Sequence, residues 1–159
     1  MKIYIANLAK YNEGGLIGEW IELKKNIDLH KEIEKICGGD EWAIHDYELP
    51  FKIDEHESID ALQDLANADL SNYEMASLIN LIDNCGESLE NALAKYENYA
   101  VYQADSFEDL AEQFVTDGLY GEIPESLQYY INYEAIGRDL SYDYNEVEYN
   151  DVTYFVSKN

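Results

Sequence analysis

Positive charge is scarce in this chain: Lys and Arg together number 10 in 159 residues, against 34 Asp and Glu, for a formal net charge of −24. The shortage is steepest from Ile53 to Gly137, where Lys95 is the single base among 19 acids. Such a balance excludes direct binding to DNA or RNA, whose phosphates it would repel, and an anionic membrane face for the same reason. Cysteine is scarce too. Cys37 and Cys85 form neither a CxxC pair nor any zinc-ligand spacing. The expectation is therefore two partly buried thiols in a reduced, cytoplasmic protein. No apolar run reaches the roughly 20 residues that span a bilayer. The run in "MKIYIANLAKYNEGG" breaks at Asn7, too early for a signal peptide.

Apolar residues are not scarce. They make up 47% of the chain, with 15 Tyr, 4 Phe and 2 Trp, which is more than a disordered acidic segment carries. The acids are interleaved with these residues at helical spacing rather than gathered in blocks. The composition describes a folded protein with an acidic surface, built as one or two compact units or as several small ones in series.

The pattern along the chain predicts an α+β fold made of three small units, an elongated arrangement that would keep the acids apart. In the first, residues 1–57, "KIYIANL" and "LIGEWIEL" read as antiparallel strands around the turn-rich "KYNEGG". A helix follows with Asn26 as N-cap, Ile33 and Ile36 inward and Gly38 as its stop, and "EWAIHDYELPF" returns as a strand ending near Pro50. Residues 58–98 read as a small helical bundle. Ile59, Leu62 and Ala66 oppose Asp60 and Asp64. Ser71 and Glu74 form a capping box for a helix running through Met75, Leu78, Ile79 and Ile82 to Gly86, and "ESLENALAKYE" supplies a third helix. Residues 99–159 read as an α+β unit: a strand at "YAVYQA", a helix capped by Ser106 and Asp109, a helix from Pro124 through "ESLQYYINYEA", and a hairpin turning at Asn150 and Asp151.

Nothing in this pattern reads as an active site. Paired carboxylates arise by chance among so many acids. The densest cluster, Asp54, Glu55, His56 and Glu57, is better read as a solvated linker than as a metal site. There is no calcium-loop, GxxxxGK[ST], GxGxxG or HExxH motif. His30 is expected to pair with Glu34 one helical turn on, and His45 to be packed on its strand. The expectation is no catalytic residue, no metal and no cofactor. Tyr129, Tyr130, Tyr133, Tyr142, Tyr144 and Tyr149 suit core packing and a dimer interface better than base stacking.

The stretch "DSFEDLAEQFVTD", residues 105–117, holds five carboxylates and no base. As a helix it places Phe107, Leu110, Ala111, Phe114 and Val115 on one arc, with Glu108, Asp109 and Glu112 opposite. Like charges at i,i+4 oppose a helix by about 0.2–0.5 kcal/mol per pair, so the pattern points to a partner outside the helix. Duplex DNA carries one charge per roughly 1.7 Å of axis. The net charge of −24 thus matches about 12 base pairs, and that of a dimer about 24.

Three stretches, "IYIANLAKYNEGGLIGEW" at 3–20, "EWAIHDYELPF" at 41–51 and "GEIPESLQYYINYEAIGRDLS" at 121–141, closely resemble the ArdA-type antirestriction family, with Asn132 in place of an Asp of the family's motif. The resemblance implies a DNA mimic, carried by conjugative plasmids and transposons, that inhibits type I restriction-modification enzymes in their DNA-binding groove. It implies an elongated three-domain protein that dimerises through its C-terminal domain, and not an enzyme. The phosphate surrogates would be Asp46, Glu48, Asp54, Glu55, Glu57, Asp60 and Asp64, followed by Asp105, Glu108, Asp109, Glu112, Asp117, Glu122 and Glu125. Two rivals share this charge: an acidic inhibitor of some other basic or nucleic-acid-processing protein, and a salt-adapted acidic enzyme.

Overall fold

The computed structural model describes residues 1–11, 15 and 17–158. The fold is α+β, and chain contacts divide it into two compact units: Met1–Asp69 with Leu81–Lys95, and Leu70–Asn80 with Tyr96–Asn159.

In the first unit, β1 (Lys2–Asn7) lies between β2 (Gly18–Glu22) and β3 (Trp42–Glu48), antiparallel to both. A single helical turn, α1 (Leu8–Tyr11), follows β1. Much of the predicted turn and the first residue of the predicted second strand, Leu16, lie outside the described residues. Pairing with β2 is seen from Gly18 onward. Gly18 is required there, because a Cβ would sit 2.4 Å from the Ile5 carbonyl oxygen. Asn7 is fully buried yet satisfied: Nδ2 donates to Cys37 O (3.3 Å) and Asp40 Oδ2 (3.0 Å), and Oδ1 accepts from Lys10 N (3.1 Å). It pins the end of β1 to the C-terminal end of the helix that follows β2.

That helix, α2 (Leu29–Cys37), packs on β1 and β2 through Leu29, Ile33 and Cys37, with Ile36 only half-buried. Its N-cap is Asp28, whose Oδ1 accepts from Lys31 N at 3.0 Å, and not Asn26. Asn26 is left-handed (φ 63), whereas an N-cap needs extended backbone. Gly38 ends the helix in the left-handed conformation, as expected.

The middle stretch holds α3 (Ile59–Asn67), α4 (Asn72–Ile79) and α5 (Leu89–Leu93). Contacts place α3 and α5 with the first unit and α4 with the second. The Ser71–Glu74 capping box forms, and Ser71 holds the Glu74 carboxyl below its ordinary value of 4.5. The helix does not continue unchanged to Gly86. From Asn80 to Asn84 the turn widens to a π-helical one, and Asn80, fully buried, accepts a hydrogen bond from Asn145 (2.9 Å). The third helix is also shorter than predicted, giving way to a 3-10 turn at Tyr96–Asn98.

The remaining elements of the second unit are β4 (Val101–Gln103), α6 (Phe107–Thr116), α7 (Glu125–Gln128), α8 (Tyr133–Asp143), β5 (Tyr144–Tyr149) and β6 (Val152–Ser157), with sheet order β4-β6-β5. The predicted long helix after Pro124 is in fact two. The first lasts one turn. The second starts anew at Asn132, whose Oδ1 accepts from Ala135 N at 2.9 Å, a capping role that Asp would fill equally well. The hairpin turns at Asn150 (φ 52) and Asp151 (φ 60), both left-handed, which is the type I′ geometry that suits the strand twist.

Leu110, Ala111 and Phe114 of α6 are buried with Leu140 and Phe155, and the Phe107 ring packs tilted, at 56°, against Phe155 with centroids 4.5 Å apart. α8 crosses α6 closely at Gly137. A Cβ there would meet Phe107 O at 2.7 Å, Phe107 C at 2.8 Å and Glu108 N at 3.0 Å.

Candidate partner-binding surface

Among the described residues the core takes no carboxylate. The buried polar residues are Asn7, Ser77, Asn80 and Ser157, and every described Asp and Glu reaches solvent. Of the fourteen predicted surrogates thirteen are exposed, Glu57 alone being half-buried. The cause is local patterning: helices such as α3 and α6 turn their apolar residues to the core and leave their acids outside.

Half of the surrogates belong to each unit. In the first, Asp46 and Glu48 project from β3, Asp54, Glu55 and Glu57 follow in the loop, and Asp60 and Asp64 lie one turn apart on α3. Three have basic neighbours: Glu48 with Lys2 (2.9 Å), Asp60 with His30 (2.8 Å) and Glu55 with His56 (3.6 Å). His30 thus meets Asp60 across two helices rather than Glu34 on its own. His45 is exposed, not packed, and Cys85 is exposed while Cys37 is buried. Burial pushes the Cys37 thiol up, and the Asp40 charge adds to the effect.

In the second unit, Glu108, Asp109 and Glu112 project from α6, Asp105 and Asp117 flank it, Glu122 follows in the loop and Glu125 opens α7. Only Arg138 and Lys158 supply positive charge to this unit. Glu112 and Glu122 come together on the rim of a recess of about 650 Å³ that Val115, Ile123, Pro124 and Tyr133 also line.

The helix ends show what the charge is not for. Helices α3 to α8 carry no base in their last turns, although a cation there is favourable. Instead Asp117 caps the C-terminus of α6 and Asp143 closes α8, both against the dipole. Glu108 and Asp109 are better placed. They occupy the first turn of α6, where the positive end offsets part of their repulsion, and Ser106 Oγ donates to Asp109 Oδ2 at 2.7 Å.

The sequence reading missed Asp83 and Glu87, which join Asp54 and Glu57 around a recess of about 420 Å³ in the first unit. Lys95 binds Glu87 and holds its carboxyl low. Glu146 and Glu148 were also missed, although the strand alternation around buried Val147 marks them as outward-facing on β5. Among the described residues no group of three or more His, Cys, Asp or Glu is placed to hold a metal ion, and no helix is long and apolar enough to cross a membrane.

The model of one protein family, described as antirestriction protein (ArdA), matches residues 3–154. The chain belongs to the ArdA antirestriction family. No curated protein matches it. Antirestriction is therefore the function that membership implies, in a family of inhibitors rather than enzymes. The stretches that resemble ArdA proteins also build the fold here: Asn7 pins β1, Gly18 admits β2, Asn132 caps α8 and Gly137 admits α6. Many of the acids of this ArdA chain lie between those stretches, where only charge and helical period are legible.

Proposed function

We propose that this ArdA protein mimics B-form DNA and inhibits type I restriction-modification enzymes by occupying their DNA-binding groove, in the cytoplasm. One observation carries the reading: every described carboxylate lies outside the core, including at helix C-termini where it opposes stability. A field of this kind raises the rate of encounter with a basic groove and pairs with it on docking. Because it is distributed, no single carboxylate is decisive.

The sign of the salt effect separates mimicry from salt adaptation. Salt screens the carboxylates from one another, with a Debye length of about 10 Å at 0.1 M, so it raises the melting temperature of the free protein. The same salt weakens its complex with the enzyme, though less steeply than the enzyme's complex with DNA, because a curved protein surface condenses fewer counterions than a duplex. Melting and binding titrations over one salt range check both. Binding that strengthens with salt would favour the salt-adapted alternative.

The protein acts as a homodimer joined through its C-terminal region, 99–159. In support, that region leaves large side chains in solvent: Tyr129 is 94%, Tyr130 83% and Tyr142 72% exposed, with Leu119, Tyr120 and Leu127 also exposed. Sedimentation should show a dimer that Tyr129→Ser with Tyr130→Ser shifts toward monomer. A wild-type monomer at micromolar concentration would remove this part of the proposal.

A further inference from the structure

One recess in the second unit joins three aromatic walls to two carboxylates. Tyr73, Tyr96 and Tyr99 line it with Val101 and Ser77, Glu74 and Glu97 complete it, and its volume is about 270 Å³. No Lys, Arg or His is among the lining residues. The walls are held. Tyr73 packs edge-on against Tyr154 (5.3 Å) and its hydroxyl meets Gln103 Oε1 at 3.3 Å, while Ser77 Oγ donates to Tyr96 O at 2.7 Å. The Tyr96 hydroxyl donates to Glu97 Oε1 at 3.4 Å, and the capping box fixes Glu74, whose Oε2 accepts from Ser71 N at 2.7 Å. Burial raises the Tyr96 phenol, and the charges of Glu97 and Glu74 raise it further.

The volume is too small for a nucleotide, and the negative charge excludes an anion. Aromatic faces beside carboxylates are complementary to a cation with a flat, weakly hydrated head, which stacks on the rings while its N–H groups donate to the carboxylates. We propose that this recess is a binding site for a guanidinium group, the side chain of an arginine on the protein partner. That the arginine comes from a restriction enzyme's DNA groove rests on the mimicry reading; the binding of guanidinium does not. A point-charge lysine would gain less from the aromatic walls, so the site would add preference for arginine to an otherwise diffuse field.

The test needs no restriction enzyme. N-acetyl-argininamide is titrated into the full chain at constant ionic strength while the ring resonances of the tyrosines are followed by NMR. The expected result is a saturable shift of Tyr73, Tyr96 and Tyr99, with none at the half-buried Tyr4 and Tyr47 of the first unit. The neutral citrulline analogue should leave all five in place, and N-acetyl-lysinamide should bind several-fold more weakly. Tyr99→Leu should weaken the arginine probe about threefold or more in a protein whose backbone spectrum is otherwise unchanged. The proposal is overturned if the three rings do not saturate, if Tyr4 and Tyr47 shift equally, or if citrulline or lysine binds as well as arginine. It is also overturned if Tyr99→Leu, folded, binds the probe unchanged. If the site passes but the protein fails to inhibit any type I enzyme, mimicry falls and the guanidinium site stands.

Discussion

Replacing Glu108, Asp109 and Glu112 together by Lys is expected to weaken inhibition of a type I restriction enzyme on the order of 100-fold, while neutralising any one of them changes it by less than about threefold. All three are exposed on α6, so the substitutions disturb no core contact. They reverse the field where the second unit has only two bases, and introduce repulsion with a basic groove instead of merely removing attraction. Glu108 and Asp109 also stand in the first turn of their helix, where Lys is disfavoured. Melting of the variant must therefore accompany the inhibition assay. Should a folded triple variant inhibit as well as the wild type, the surface that meets the enzyme lies elsewhere on the chain.

The second large effect is on stability, and its sign is unusual. Exchanging Gly for Ala inside a helix ordinarily stabilises by about 1 kcal/mol. Gly137→Ala is expected to destabilise instead, by about 1–3 kcal/mol, because the new Cβ would lie 2.7 Å from Phe107 O and 2.8 Å from Phe107 C. Those are backbone atoms at the start of α6, so no side chain can swing away. Either α8 moves out or the first turn of α6 does, and the aromatic packing of Phe107 on Phe155 loosens. Urea denaturation measures the change. A Gly137→Ala protein as stable as the wild type would show that the two helices do not cross so closely.

Much of this was legible in the chain because the physics is local. The arc of Leu110, Ala111 and Phe114, the Ser71–Glu74 box, the Gly38 stop and the turn at Asn150 and Asp151 each follow from residues within a few positions of one another. What escaped depends on distant neighbours. Asp28 caps α2 while Asn26 takes a left-handed turn and donates its N–H to Asn67, a partner 41 residues away. The π-helical turn at Asn80 is coupled to Asn145, and His30 to Asp60, neither of which a periodicity reveals. The break after α7 is set by the Asn132 cap, overriding an unbroken helical pattern. Net charge and the stretches resembling ArdA proteins pointed to an acidic surface without fixing its geometry. Asp83 and Glu87 join Asp54 and Glu57 only through folding of the segment 81–95 back onto the first unit.

The central claim, that this surface takes the place of DNA, is tested most directly by competition on one enzyme. A labelled duplex containing the recognition site is bound to a type I restriction enzyme, and the protein is added at fixed salt. Mimicry predicts complete displacement of the duplex, with an apparent affinity that falls in proportion to duplex concentration and no species holding both. A stable ternary complex of enzyme, duplex and this protein, or inhibition that extra duplex cannot relieve, would contradict it.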